Sequence, residues 1–312
     1  MNEEIDLADP IRDHAADDAS THAHRAADRR FSALKRLTPS SEELTMNRRM
    51  LSKLLGSAAA LAAVQPVLAA RPMMQPESAT PSTAATIGML VFPGMTVLDL
   101  IGPQQFFAVA PGRTTQLLWK TRDPVVSDSG VPILPTATFD EAPEELEILF
   151  VPGGFQGTGA TIEDPQILDF VASRGERAKY VTSVCTGALI LGAAGLLQGY
   201  QATTHWAYRD LLPLVGAEPV EARVVEDRNR ITGGGVTSGI DFGLTLLARL
   251  AGEDYAKGWQ LGTEYDPQPP FDSGTPDKAG QFIEGEVMRV LGPRVENVRR
   301  ALLESPGHHG GG

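Results

Sequence analysis

Tyr180–Val181–Thr182–Ser183–Val184–Cys185–Thr186–Gly187–Ala188–Leu189–Ile190–Leu191–Gly192–Ala193–Ala194 decides how this chain reads. The run before Cys185 predicts a short apolar strand, and the alanine- and leucine-rich run after Gly187 predicts a helix. Cys185–Thr186–Gly187 is the turn between them. A sharp strand-to-helix turn presents its central side chain above the sheet edge, close to helix-end N–H groups that lower a thiol's pKa. Cys185 is the only cysteine in 312 residues. A lone cysteine is more often a small buried apolar residue, but this position, followed by Thr–Gly, predicts a reactive thiol.

Outward from that unit, apolar runs alternate with helical stretches, as in a parallel sheet covered on both faces. Strands are predicted at Ile87–Phe92, Gln116–Trp119 and Leu146–Val151, and a hairpin over Val125–Thr136 turning at Asp128–Ser129–Gly130. Helices are predicted at Leu98–Ala110 and at Pro165–Arg177, the latter capped by Asp164 with Pro165 at its first position. After the Cys185 unit come β pieces at Ala202–Thr204, Val220–Glu226 and Arg230–Thr232, and helices near Ala207–Leu214, Ile240–Ala251 and Asp254–Thr263. The expected fold is a three-layer, flavodoxin-like α/β sandwich over 86–275. A terminal helix and polar tail over 276–312 follow an extended, proline-rich stretch.

Residues 1–45 are polar and charged without an apolar period, so disorder is the expectation. From Met46 the chain reads as an export signal: Arg48–Arg49 in a basic start, an apolar run Leu54–Leu68, then small residues to Ala70. That run is too short to span a bilayer comfortably. A twin-arginine signal predicts a periplasmic protein with no membrane span after cleavage. Met46 could equally be the true start, with 1–45 an over-extended reading frame. A buried helix of a cytoplasmic protein is the bland alternative. Residues 71–85, rich in Pro, Ser, Thr and Ala, read as a linker.

Residues 71–312 hold 29 acidic and 18 basic side chains, a balance of −11. No basic stripe interleaved with aromatics is present, which argues against nucleic acid as a partner. One cysteine excludes an internal disulfide, and one Cys with one domain histidine cannot build a zinc cluster.

In such sheets ligands bind beyond the carboxyl ends of the strands, where three pieces of sequence should meet. Cys185 ends one strand. Gly153 and Gly154 end another and offer backbone N–H groups with no Cβ in the way. Asp99 follows the first strand in Val97–Leu98–Asp99–Leu100–Ile101–Gly102–Pro103. It reads as a helix N-cap, as a desolvated acid with raised pKa, or as both. Thr186 is either an oxyanion donor beside the nucleophile or a helix-start cap. His205, the only histidine between residues 25 and 307, is either a base orienting the thiol or a structural side chain. Gly233–Gly234–Gly235–Val236–Thr237–Ser238–Gly239 fits neither phosphate-loop spacing, and close packing at a helix start is the better account.

Leu98–Asp99–Leu100–Ile101–Gly102–Pro103, Val151–Pro152–Gly153–Gly154, Ser183–Val184–Cys185–Thr186–Gly187 and Ala202–Thr203–Thr204–His205–Trp206 together resemble the ThiJ/PfpI superfamily. That group shares the class I glutamine amidotransferase-like fold. Trp119–Lys120–Thr121, Asp123–Gly130, Gly192–Gly199 and Glu264–Phe271 are similar to the isonitrile-hydrating branch. The resemblance implies Cys185, Asp99 and Thr186 as the essential residues, a small-molecule substrate, no cofactor, and a possible homodimer. Two departures stand out. Many relatives carry glutamate where this chain has Asp99, and His205 is followed by Trp206 and Ala207, so no Cys–His–Glu glutaminase triad is expected. The alternatives are a cysteine hydrolase acting on an amide, peptide or aldehyde, a redox sensor, or a ligand-binding domain like those of AraC-type regulators. About 37 residues after Thr275 are too few for the regulators' DNA-binding region.

Overall fold

The computed structural model describes residues 85–305. The expected disordered or over-extended stretch 1–45, the export signal 46–70, all but the last residue of the linker 71–85, and the tail beyond Ser305 lie outside the described residues. Among the described residues no helix is long and apolar enough to cross a membrane.

Along the chain, β1 (Ala85–Leu90) leads through α1 (Val97–Phe107) to β2 (Arg113–Trp119) and three short pieces, β3 (Val125–Val126), β4 (Pro132–Ile133) and β5 (Ala137–Thr138). β6 (Ile148–Val151), α2 (Thr158–Ile162), α3 (Pro165–Arg177) and β7 (Tyr180–Val184) follow. Then come α4 (Gly187–Ala193), β8 (Gln201–Ala202), a 3₁₀ helix (Trp206–Val215), β9 (Glu218–Pro219), β10 (Val224–Asp227) and β11 (Arg230–Gly233). Three helices close the sequence: α5 (Ser238–Ala251), α6 (Glu253–Gly262) and α7 (Pro276–Glu304).

Seven strands form one sheet in the order β10-β11-β7-β6-β1-β2-β5. Every pairing is parallel except β10 with β11. All four residues of β6 are buried, as an unbroken apolar run should be when helices cover both faces of a parallel sheet. The flavodoxin-like α/β reading therefore holds. From β1 the chain first builds outward to β2, then returns to place β6 on the other flank of β1. That reversal opens a crevice at the carboxyl ends of β1 and β6, and β7 delivers Cys185 beside it.

Local chemistry explains where the elements stop. Asp164 caps α3, its carboxylate accepting from Gln166 N at 3.1 Å and Ile167 N at 3.4 Å, with Pro165 in the first turn. Such a cap is worth about 1 kcal/mol. The Asp128–Gly130 turn joins the antiparallel pair β3–β4 as expected, with Gly130 at φ 81°. Gly239 of α5 lies against Pro103 of α1, so the glycine-rich loop ends in close helix packing.

Some elements differ from the sequence reading. The helix expected near Ala207–Leu214 is a 3₁₀ run containing Pro213, whose ring cannot donate to an α-helical ladder. The strand expected from Val220 begins only at Val224, because Glu218–Pro219 instead pairs with Gln201–Ala202. α2, with five residues, and β5, with two, are too short to carry a period.

The core does not end at Thr275. Val295, Val298, Ala301 and Leu302 of α7 belong to the same buried cluster as the sheet strands. Leu302 is 2 % exposed, so Leu302→Ala should cost about 2–5 kcal/mol. Urea unfolding reads this directly, and an unchanged midpoint would make α7 a dispensable appendage.

Candidate active site

Cys185 adopts φ 55°, a left-handed conformation that costs a non-glycine residue of order 1–3 kcal/mol and persists only where neighbours impose it. The neighbours are identifiable. Its N–H bonds to the carbonyls of Gly233 at 3.1 Å and Gly234 at 2.8 Å. Its C=O accepts from the Thr204 hydroxyl at 2.7 Å. Gly187 completes the turn: a Cβ there would stand 2.2 Å from the Val151 carbonyl oxygen. The predicted sharp turn is therefore real, and it is clamped from β11, from the Thr203–Thr204 segment and from β6.

Asp99 is fully buried in the first turn of α1. It is not the N-cap, because Thr96 occupies that position and the Asp99 N–H reaches the Thr96 carbonyl at 3.0 Å. The Thr96 hydroxyl instead donates to Asp128 at 2.6 Å. The Asp99 side chain turns toward the crevice: Oδ2 accepts the Gly153 N–H at 3.1 Å, and the carboxyl faces the Cys185 thiol. Oδ1 has no hydrogen-bond partner among the described residues. Burial pushes this carboxyl up to about 7, the Cys185 thiol and the Gly153 N–H pull it back, and the nearby Asp128 adds to the rise. A protonated carboxylic acid close to neutral pH follows from that environment.

The thiol corrects one expectation. Helix-end N–H groups do reach it, from Thr186 and from Val236, and both favour the thiolate. Complete burial outweighs them, and the Asp99 charge adds to it, so the thiol lies well above its ordinary value rather than below. Cys185 and Asp99 thus each resist ionisation, chiefly because both are buried.

Thr186 does not cap α4 with its side chain. Its hydroxyl accepts the Gly154 N–H at 2.9 Å and pairs with the Thr158 hydroxyl at 2.7 Å. Thr158 in turn donates to the Gly154 carbonyl at 2.8 Å. The two glycines are required at this approach, since a Cβ on Gly153 would lie 2.6 Å from Thr186 N and 2.8 Å from Asp99 Oδ2. Cys185, Asp99, Thr186, Gly153 and Gly154 converge as read from sequence.

His205 stands one step back. Its Nδ1 accepts the Ala207 N–H at 3.3 Å and so caps the 3₁₀ helix. Burial, with the positive Arg209 nearby, drops its pKa to about 4, so the ring is neutral. Tyr208 is fully buried, its hydroxyl has no partner among the described residues, and burial lifts its pKa to about 12. Thr158, Thr204 and Val236 were not singled out for the site from sequence, because hydroxyls and backbone N–H groups carry no local signature of a distant partner.

Residues 85–249 match the DJ-1/PfpI family. This chain belongs to the DJ-1/PfpI family. It is 52 % identical over 225 residues to the isonitrile hydratase of Pseudomonas putida, covering 71 % of this chain and 98 % of that protein. A ThiJ/PfpI family protein from Pseudomonas syringae has a solved structure with TM-score 0.70 and 46 % identity, covering 79 % of this chain and 98 % of that one. The HTH-type transcriptional regulator GbdR of Pseudomonas aeruginosa is 29 % identical over 199 residues, covering 59 % of this chain but only 50 % of the regulator. The family's sheet thus serves proteins of different roles, and the site geometry has to argue the role here.

The Asp99 charge raises the thiol. Asp99→Asn should therefore move the thiol's ionisation midpoint to lower pH, followed by ultraviolet thiolate absorbance. An unchanged midpoint would mean that the carboxyl does not act on the sulfur.

Proposed function

We propose that this protein hydrates an isonitrile, R–N≡C, to the N-substituted formamide, with Cys185 as nucleophile. The placement of the Asp99 carboxyl against the Cys185 thiol, both fully buried, carries the reading. An isonitrile's terminal carbon must gain both a nucleophile and a proton, and the fully buried pair holds both at one place.

Sulfur attacks the terminal carbon, and Asp99 in its acid form delivers a proton to that same carbon, giving the thioimidate Cys185–S–CH=N–R. Forming a free thiolate in this burial is costly, so proton movement through the carboxyl accompanies S–C bond formation. As Asp99 gives its proton to carbon, the thiol's own proton passes to the carboxyl, so Asp99 ends this step protonated. It then gives that proton to the imine nitrogen and becomes the base for a water near the Thr186 hydroxyl. Water's oxygen adds to the carbon and one of its protons goes to Asp99. Collapse breaks the C–S bond as the new hydroxyl's proton passes to sulfur, and R–NH–CHO leaves with the thiol and the Asp99 acid restored. The reaction consumes one water and needs no metal, nucleotide or flavin.

The geometry supports rival readings less well. A glutaminase-type hydrolase needs a histidine engaged with the thiol, and the neutral His205 is instead turned to Ala207. Redox sensing favours exposed, low-pKa thiols, whereas Cys185 is fully buried and raised.

Incubation of the reduced protein with a simple alkyl isonitrile should yield the formamide proton by NMR. Cys185→Ala should abolish it, and Asp99→Asn should reduce turnover by at least about a hundredfold, the lower range for a positioned acid–base group. No formamide from folded wild-type protein would overturn the reading.

A further inference from the structure

A cavity of about 430 Å³ opens beside the nucleophile, in the size range of small-molecule sites. Its wall includes Thr204, whose hydroxyl holds the Cys185 carbonyl, and Val236, whose N–H reaches the thiol. Val236 thus stands between the cavity and the sulfur, while Thr204 joins the cavity wall to the nucleophile's backbone. Isonitriles are linear at N≡C, so the reactive carbon projects as a slender rod ahead of the substituent. That shape suits a fully buried thiol approached from an adjoining pocket.

The wall also carries donors that nothing else uses. Ser238 is 1 % exposed and its hydroxyl has no partner among the described residues. Arg209 Nε is likewise buried without a partner. In His205, which also lines the cavity, Nδ1 accepts the Ala207 N–H, which places the neutral ring's proton on Nε2, a donor outside the buried unpaired set. Buried donors left unpaired are unfavourable and call for an acceptor.

Charge narrows the class. Arg209 and Arg223 both lie in the wall, against one acid, Glu221. Glu221 bonds Arg209 Nη1 at 3.0 Å from the solvent side, its own side chain 75 % exposed, so the pairing is weakened by water. Arg223 is held by Asp241, which is not in the wall. Trp206, Ala222 and Pro276 also line the cavity and add apolar surface to it.

We propose that this cavity binds the substrate's N-substituent and selects isonitriles whose substituent ends in a carboxylate, received by Arg209, Ser238 and His205. The proposal rests on the hydratase reading and specifies its substrate class. Arg209 and Ser238 are positioning residues here and touch no reacting atom.

The test compares isocyanoacetate with its methyl ester, which have the same isonitrile and differ in charge. In wild-type protein kcat/KM for the anion should exceed that for the ester by roughly tenfold. Arg209→Gln should bring the ratio close to one, chiefly through KM for the anion, Arg209→Lys should restore part of it, and Ser238→Ala should lower it to a lesser degree. Equal kcat/KM for the two substrates in wild type, or a ratio untouched by Arg209→Gln in a folded variant, overturns the proposal. If neither isonitrile gives formamide, the hydratase reading falls instead. The cavity is then decided by calorimetric titration of N-formylglycine into wild-type protein. Binding that weakens roughly tenfold in Arg209→Gln supports a carboxylate site, and no binding to wild type overturns it.

Discussion

Placing a fully buried carboxyl against a fully buried thiol makes each influence the other's proton, and the surrounding structure is organised around that pair. A buried carboxylate without compensation is strongly unfavourable, and among the described residues Asp99 receives one backbone N–H, from Gly153. Its response is to hold a proton close to neutral pH. The thiol responds in the same direction, because burial and the Asp99 charge both oppose its ionisation. Passing the thiol proton to the carboxyl while the carboxyl gives its proton to substrate carbon is then the least costly path available.

Three separate parts of the sheet hold this pair in place. β1 and α1 carry Asp99, the β6 loop contributes Gly153 and Gly154, and β7 presents Cys185 in its strained turn. The strain at Cys185 is opposed by hydrogen bonds from β11 and from Thr204. Small residues at the approach are a steric requirement, as the short distances from a Cβ on Gly153 or Gly187 make plain. The reversal in strand order brings these loops together, so topology and site are one feature of the fold.

Much of this was legible in the residues themselves. The turn Cys185–Thr186–Gly187, the capped helix from Pro165 to Arg177 and the fully apolar strand at β6 carry local signals that survive folding. Asp99 amid apolar residues announced a desolvated acid, although its capping role went to Thr96. The thiol's direction was not legible, since sequence shows the helix-end N–H groups but not how completely the sulfur is enclosed. The roles of Thr158, Thr204 and Val236 depend on contacts 28, 19 and tens of residues away in the chain, and no local pattern encodes them. His205 was ambiguous for a related reason: which nitrogen is engaged is decided by the turn that follows it.

The most direct measurement is mass spectrometry of the intact protein, acid-quenched within the first turnover of an alkyl isonitrile. The wild-type chain should carry the whole mass of the isonitrile on the peptide containing Cys185, as the thioimidate requires, and Asp99→Asn should accumulate that adduct far more slowly. Formamide released with no adduct at any quench time, or an adduct formed at the wild-type rate in Asp99→Asn, would contradict proton delivery by the buried pair.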